Sequence, residues 1–312
     1  MKNILLIGYG KMGKIHKRVI DSNTNSKLYG IVESNPNNID YIDKNLIYFK
    51  DVSETKKHLD QIDAAIVATN TFTHYKIGKF LLDNRIPTLI EKPISTNLFE
   101  IIKLINFAIN ENIILRCGLL ELYNPIFKYL ENLKIQKIKN IQIFRHSEKI
   151  TNRHLDNIIF DLLIHDLSVL FNLFKNSNFE IRAKNVNSKE KNPESVDVFV
   201  KINNIPILIS VSREAQEKLR KWSIKTQDSS YELDLVRKEI KILQKGEIKI
   251  ENNAILSTNV NRHIKSFSNV PEPAQIQLEN LLKNIDNLNV DKQHLDLVLN
   301  THTEVNNIYN IS

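Results

Sequence analysis

The spacing of apolar positions changes character partway along the chain. Asn3–Gly8 is a continuous apolar run, as in a strand buried on both faces of a parallel sheet. Lys11–Asp21 then reads as a helix. Lys27–Glu33 reads as a second strand and Ala64–Ala68 as a third, followed by a helix from about His74 to Asn84. Pro87–Ile90 is a fourth strand, Leu98–Asn110 a helix, and Ile113–Gly118 closes the set. Strands that alternate with helices predict a doubly wound parallel sheet.

Beyond Gly118 the rhythm differs. Pro125–Leu133 reads as a helix, Ile138–His146 as a strand and Ile158–Phe174 as a strongly apolar helix. Strand-like segments follow at Phe179–Val186, Ser195–Ile202, Pro206–Arg213, Lys221–Gln227 and Tyr231–Leu243, with Asn203-Asn204 as a two-residue hairpin turn. From Pro273 the chain reads as two helices. The pattern predicts an α/β domain over residues 1–120. An α+β domain over 121–312 follows, built on a mostly antiparallel sheet, with C-terminal helices free to pack back on the first.

Composition narrows the class. Of 312 residues, 42% are hydrophobic and 25% charged, which excludes disordered and collagen-like chains. The single cysteine, Cys117, cannot form an internal disulfide and fits a reducing cytoplasm. No Cys/His cluster has zinc spacing, so no metal is expected. The apolar N-terminal run breaks at Gly8, too early for a signal peptide, and Asp161, His165 and Asp166 interrupt the longest apolar stretch, so no membrane span is expected. The net charge is +7, but the lysines are dispersed and no helix clusters basic residues with aromatic stacking positions. Nucleic acid is therefore not an expected partner, whereas an anionic small molecule is.

Two segments carry candidate chemistry. Gly8-Tyr9-Gly10-Lys11-Met12-Gly13 is a G-x-G-x-x-G between the first strand and the first helix, and it holds three of the chain's seven glycines. Gly8 permits the tight turn, Gly10 the approach of a pyrophosphate, and Gly13 close helix packing, while the helix N-terminus faces the phosphates. Glu33 ends the second strand about 20 residues on, where a carboxylate accepts from the adenosine ribose and repels a 2′-phosphate. Ser34, Asn35 and Pro36 follow it, with no arginine, which favours NAD over NADP. Thr69 and Asn70, after the third strand, are further cofactor candidates.

Glu91-Lys92-Pro93 lies at the carboxyl end of the fourth strand, the edge where ligands bind in open α/β sheets. Lys92 there is a candidate for proton transfer beside a nicotinamide. Asp161 and His165 are four residues apart and share one face of a regular helix, where ionisable groups need partners or a cavity. Asp166 reads as structural.

Taken together, G-Y-G-K-M-G, Glu91-Lys92-Pro93 and Asp161-x-x-x-His165 resemble the glucose-fructose oxidoreductase, inositol dehydrogenase and MocA family over nearly the whole chain. The resemblance implies a Rossmann domain followed by a domain with an open sheet whose outer face builds oligomers, to which the row Val196, Val198, Val200 and Ile202 contributes strand. It implies that Lys92, Asp161 and His165 assist hydride transfer between a sugar carbon and NAD(P), and that the Lys92–Pro93 peptide is cis. Glu121-Leu122-Tyr123-Asn124-Pro125, Phe160–Asp166 and Glu272-Pro273 further resemble UDP-N-acetylglucosamine 3-dehydrogenase-like members. Leu122, Leu163 and Ala274 depart from their arginine, glycine and leucine. Asn124 is the candidate substrate contact, with Tyr123 a packing neighbour, and Arg145 and Arg153 are candidates for an anionic substrate group. Expected is a cytoplasmic, homo-oligomeric NAD-dependent dehydrogenase of a sugar or nucleotide sugar. A free-polyol dehydrogenase and a non-catalytic dinucleotide-binding sensor remain open, and the intact proton-transfer set speaks for an enzyme.

Overall fold

The computed structural model describes residues 1–39, 46–133, 137–148, 157–175, 177–185, 193–251 and 254–311. In chain order its elements begin with β1 (Lys2–Ile7), α1 (Lys11–Ser22), β2 (Ser26–Val32), α2 (Pro36–Ile39), β3 (Ile47–Phe49), β4 (Ala64–Val67), α3 (Thr71–Asp83), β5 (Thr88–Glu91), α4 (Leu98–Asn110) and β6 (Leu115–Gly118). Next come α5 (Pro125–Leu133), β7 (Asn140–His146), α6 (Ile164–Leu173), β8 (Phe179–Asn185), β9 (Ser195–Ile202), β10 (Ile205–Ser212) and β11 (Leu219–Lys225). The chain ends with β12 (Ser229–Asp234), β13 (Glu239–Glu251), β14 (Ala254–Ser266), α7 (Pro273–Asp286) and α8 (Lys292–Ile311). The chain divides into two compact units. One comprises residues 1–123 with 271–306, the other residues 124–270 with the chain end from Asn307.

The first unit is built on a six-stranded sheet in the order β3-β2-β1-β4-β5-β6, with every pair parallel. This is the doubly wound order of a Rossmann fold, and its direction of winding reverses between β1 and β4. The strands are aliphatic and buried on both faces, as Ile4–Ile7 and Ala64–Val67 show. Helix α7 adds Ala274, Leu278, Leu281, Leu282 and Ile285 to the core that holds Ile4, Leu6, Val19, Ile20 and Ile66. Strand β3 and the 3₁₀ segment Val52–Gln61 were not anticipated; three residues are too few to show a period.

The second unit is built on an eight-stranded sheet, β14-β13-β12-β11-β7-β10-β9-β8. All its pairs are antiparallel except β7 with β10. Asn203 takes φ +54° in the two-residue turn between β9 and β10. Val196, Val198, Val200 and Ile202 are all buried, so this row belongs to the covered face of the sheet, while Phe199 points the other way and is exposed. Two expectations need correction. The segment Tyr231–Leu243 is not one strand, because Asp234 Oδ1 accepts from the Val236 and Arg237 amides and turns the chain into β13. The helix Ile158–Phe174 is not uniformly α, because Ile159–Leu163 forms a π turn before α6.

On the covered face, the inward rows of β7 and β10 end in arginines. Ile141 and Ile143 precede Arg145, and Ile207, Ile209 and Val211 precede Arg213. The first guanidinium donates through Nε (2.5 Å) and Nη2 (3.0 Å) to Asp166, whose Oδ1 also accepts from Trp222 Nε1 at 3.0 Å. Arg145 is thus committed to the core of this unit rather than offered to an anionic substrate group, and Asp166 is structural as expected. Among the described residues no helix is long and apolar enough to cross a membrane, and no group of His, Cys, Asp and Glu side chains is placed to hold a metal.

Candidate dinucleotide site and proton-transfer residues

Because the first sheet is parallel, the loops that leave β1, β4 and β5 emerge at one edge, and those after β1 and β4 flank the reversal point. Gly8 takes φ +93°, a conformation that a side chain disfavours, and a Cβ there would lie 2.6 Å from Ala68 O. A Cβ on Gly13 would lie 2.1 Å from Gly8 O, so the helix can follow the loop this closely only with glycine. Gly10 differs. A Cβ there would meet nothing within 4 Å, and the residue caps α1 without a side-chain hydrogen bond. The open space at Gly10 and the first turn of α1 fit a dinucleotide pyrophosphate. Around this loop Tyr9 is buried, Met12 half-buried and Lys11 exposed.

Glu33 is buried just beyond β2 and reaches back to the loop. Its Oε2 accepts from the Tyr9 amide at 2.7 Å and from Asn38 Nδ2 at 3.1 Å, and its Oε1 accepts from the Asn35 amide at 2.7 Å. The carboxylate therefore clamps the glycine loop to the turn after β2, a task the sequence did not reveal. A carboxylate offers about four acceptor positions, so one remains for a ribose hydroxyl. Thr69 bonds Thr73 through its hydroxyl at 2.7 Å, and Asn70, exposed, precedes the first turn of α3.

Buried histidines hold the segment Glu91–Ile94 at three of its polar groups. Glu91 Oε1 lies 2.7 Å from His16 Nε2, and its Oε2 accepts from the Lys92 amide at 3.3 Å. Gly118 makes room for that carboxylate, since a Cβ would stand 2.6 Å from Oε2. The Lys92–Pro93 peptide is cis. Pro93 O lies 2.8 Å from His74 Nδ1, whose Nε2 is 3.1 Å from Thr69 O. The Ile94 amide donates to His302 Nε2 at 3.2 Å, and the Cys117 amide on β6 donates to His294 Nε2 at 3.1 Å. Lys92 itself is half-buried.

Each of these four histidines stands in the buried stripe of its helix. In α1 the stripe is Gly13, His16, Val19 and Ile20, and in α3 it is His74, Gly78, Leu81 and Leu82. In α8 it includes His294, Leu295, Val298, Thr301, His302 and Val305. Burial pushes the His294 ring down to about 3 and the His302 ring down to about 4, so both stay neutral and can accept an amide hydrogen.

In the second unit, Asp161 lies in the π turn and His165 at the start of α6, both half-buried. Arg213 Nη2 donates to Asp161 Oδ2 at 2.8 Å. Asn124 is the N-cap of α5, its Oδ1 accepting from the Ile126 amide at 3.1 Å; the structure thus gives the expected substrate contact a helix-capping task. Tyr123 accepts from Arg116 Nη2 at 2.8 Å. Arg153 lies outside the described residues. Sequence reasoning missed His16, His74, His294, His302 and Arg213. The available signal was a histidine or arginine in the register of an otherwise apolar row.

A glycine loop at the reversal point of a doubly wound sheet, clamped by an acidic residue, is the arrangement of a dinucleotide-binding domain. Residues 2–119 match the family described as an oxidoreductase family with an NAD-binding Rossmann fold, Gfo/Idh/MocA. The matched part runs from β1 to β6, so the first sheet is similar to the NAD-binding domain of that family. The chain is 24% identical over 243 residues to the UDP-N-acetylglucosamine 3-dehydrogenase of Acidithiobacillus ferrooxidans, covering 77% of this chain and 76% of that one. A solved structure of the enzyme of that name from the same organism superposes with a TM-score of 0.82 at 20% identity, covering 98% of this chain and 97% of that one. A dehydrogenase from Clostridium difficile gives a TM-score of 0.83 at 18% identity, covering 100% and 99%.

Two expected outcomes follow from this geometry. Gly13→Ala forces the loop away from α1, lowering Tm and abolishing NAD binding. Gly10→Ala leaves Tm unchanged yet weakens NAD by roughly tenfold or more, about 1.4 kcal/mol; melting curves and fluorescence titration on the same samples check both.

A further outcome concerns pH. The unfolded chain protonates His294 and His302 near their ordinary value of 6.5, while the folded chain resists until about 3 and 4. Their contribution is complete above pH 6.5 and is lost as pH falls, at about 1.4 kcal/mol per pH unit for each ring. His302→Gln, which keeps an acceptor that cannot titrate, should reduce the slope of stability against pH between 6.5 and 5 by about that amount, read from urea midpoints.

Proposed function

We propose that the protein is an NAD-dependent dehydrogenase that moves hydride between the nicotinamide and a secondary alcohol or ketone of a nucleotide sugar of the UDP-N-acetylhexosamine type. The observation that carries this reading is the fixed Glu91–Ile94 segment. It presents Lys92 at the sheet edge that also bears the glycine loop, on a backbone held by His16, His74 and His302. An ammonium so placed serves a reaction that removes or returns a hydroxyl proton as hydride moves. The name of the Acidithiobacillus ferrooxidans relative supports the nucleotide sugar. The absence of an arginine after the buried Glu33 supports NAD over NADP.

The bound nicotinamide supplies the hydride acceptor or donor. Lys92 of the first unit would take or return the hydroxyl proton; in the second unit His165 is the corresponding candidate, with the Asp161 carboxylate of the same helical segment orienting its ring. The dinucleotide would be held by the Gly8–Gly13 loop, with Glu33 after β2 toward its adenosine ribose and Thr69 and Asn70, after β4 on the other side of β1, as further contacts. The second sheet leaves Phe199 and Ile264 exposed, and this face is the proposed surface for assembly of identical chains in the cytoplasm.

The test is a panel of UDP-sugars and free polyols with NAD and NADP, followed by absorbance of the reduced cofactor. Turnover of UDP-N-acetylglucosamine with NAD is expected, and turnover of free polyols alone would replace the substrate assignment. Lys92→Ala and His165→Ala are each expected to lower kcat by roughly 10²–10⁴-fold with NAD affinity nearly unchanged. Normal turnover by a destabilised His165→Ala protein would remove His165 from the reaction.

A further inference from the structure

The π turn and the two arginines of the second sheet belong to one arrangement. Strands β7 and β10 are parallel neighbours in which Val211 pairs with Arg145, so Arg213 continues the inward row of β10 two residues further on. Their guanidiniums take two carboxylates from a single helical segment, Asp166 for Arg145 and Asp161 for Arg213. Those carboxylates are five residues apart. In a regular α-helix, positions five apart differ by about 140° around the axis and cannot both meet one sheet. A π turn closes its hydrogen bond from i to i+5 and brings such positions to the same side. Here the Ile164 amide bonds back to Ile159 O, and the turn spans Asp161.

The two pairs differ in setting. Arg145 and Asp166 are both fully buried and form part of the core. Arg213 is buried, but the Asp161 side chain is 31% exposed, so water reaches it. Arg213 also has Glu194 Oε2 3.8 Å from its Nη1, and its amide donates to Glu194 O at 2.8 Å, which holds the arginine itself in place. Among the described residues, the charged or titratable groups of this corner are Arg213 and Glu194 from the strand side and His165 from the same helix as Asp161.

We infer that Arg213 is a positioning residue of the reaction. It fixes the Asp161 carboxylate in one orientation and in its ionised form, so that Asp161 acts as an anionic acceptor toward the proton-transferring group and never as the proton donor. A guanidinium is suited to this because it stays charged at every pH the enzyme meets and presents a planar fork to a carboxylate. The inference rests on the reading that Asp161 belongs to the proton-transfer set.

The test uses the full-length protein with ¹³C at the aspartate carboxyl carbons, the Asp161 signal being assigned by its loss in Asp161→Asn. An opposite charge in contact lowers a carboxyl by about 1–3 pH units, so the Asp161 midpoint should rise by about one unit or more in Arg213→Met and by less in Arg213→Lys. With UDP-N-acetylglucosamine and NAD, kcat of Arg213→Met should fall by roughly tenfold or more, its acid limb moving up in pH, while KM for NAD stays the same. Arg213→Lys, which retains the charge and folds with less disturbance, should recover part of kcat. An unmoved midpoint in Arg213→Met, or in Arg213→Gln where the methionine variant does not fold, overturns the inference, as does a moved midpoint with unchanged turnover. The carboxyl titration needs no substrate, so a wild-type protein inert toward UDP-sugars would count against the proposed substrate and leave the ionisation of Asp161 to be decided on its own.

Discussion

The first unit depends on how the chain between β5 and α4 is held. This segment leaves the middle of a buried sheet with its carboxylate, its carbonyl and its amide still inside the protein. Buried polar groups without partners cost about 1–3 kcal/mol each. Here the partners are rings from three helices: His16 of α1 for Glu91, His74 of α3 for Pro93, and His302 of α8 for Ile94. Imidazole suits the task because it is bulky and flat enough to stand in an apolar stripe and still carries two polar nitrogens. Helix α8 supplies two of the four histidines at this sheet edge, which ties it to the α/β unit alongside the apolar face of α7. Lys92 is thereby carried by a backbone with buried partners from three helices.

The second unit meets a similar demand with charge. Two strands end in inward arginines, and one helical segment answers with two aspartates, at the expense of a π turn. Removing one member of a buried pair leaves an uncompensated charge, so such pairs specify one arrangement of sheet and helix more strongly than they add net stability. The result is a core pair, Arg145–Asp166, beside a more open one, Arg213–Asp161. The two carboxylates thus lie five residues apart and differ in how much water reaches them.

Much of this was legible in the sequence where the signal is local. The glycine loop, the parallel strands with their helices, the Asn203-Asn204 hairpin and the α7–α8 pair all follow from periods and turn residues within short windows. Buried aliphatic runs such as Ile4–Ile7 admit few other readings. The partners were not legible. His16 meets Glu91 across 75 residues and His302 meets Ile94 across 208, and nothing local to either position announces the other. Arg145 carried the opposite difficulty. A lone arginine on a predicted strand suggests an anion, and only the register of β7 with β10 shows that it turns inward to Asp166. Asn124 was read as a substrate contact from the resemblance carried by Glu121–Pro125, although the same position is the natural N-cap of the helix that the proline opens. The π turn had no signal at all, since it answers arginines on strands that come before and after it in the chain.

Amide hydrogen exchange at Ile94 tests the central claim most directly. If the Lys92 segment is held by the buried histidines, the Ile94 amide, bonded to His302, exchanges as slowly as those of Leu89 and Ile90 in β5, and His302→Ala releases it while leaving β5 protected. Exchange of the wild-type Ile94 amide as fast as that of its exposed neighbour Thr96 would contradict the account.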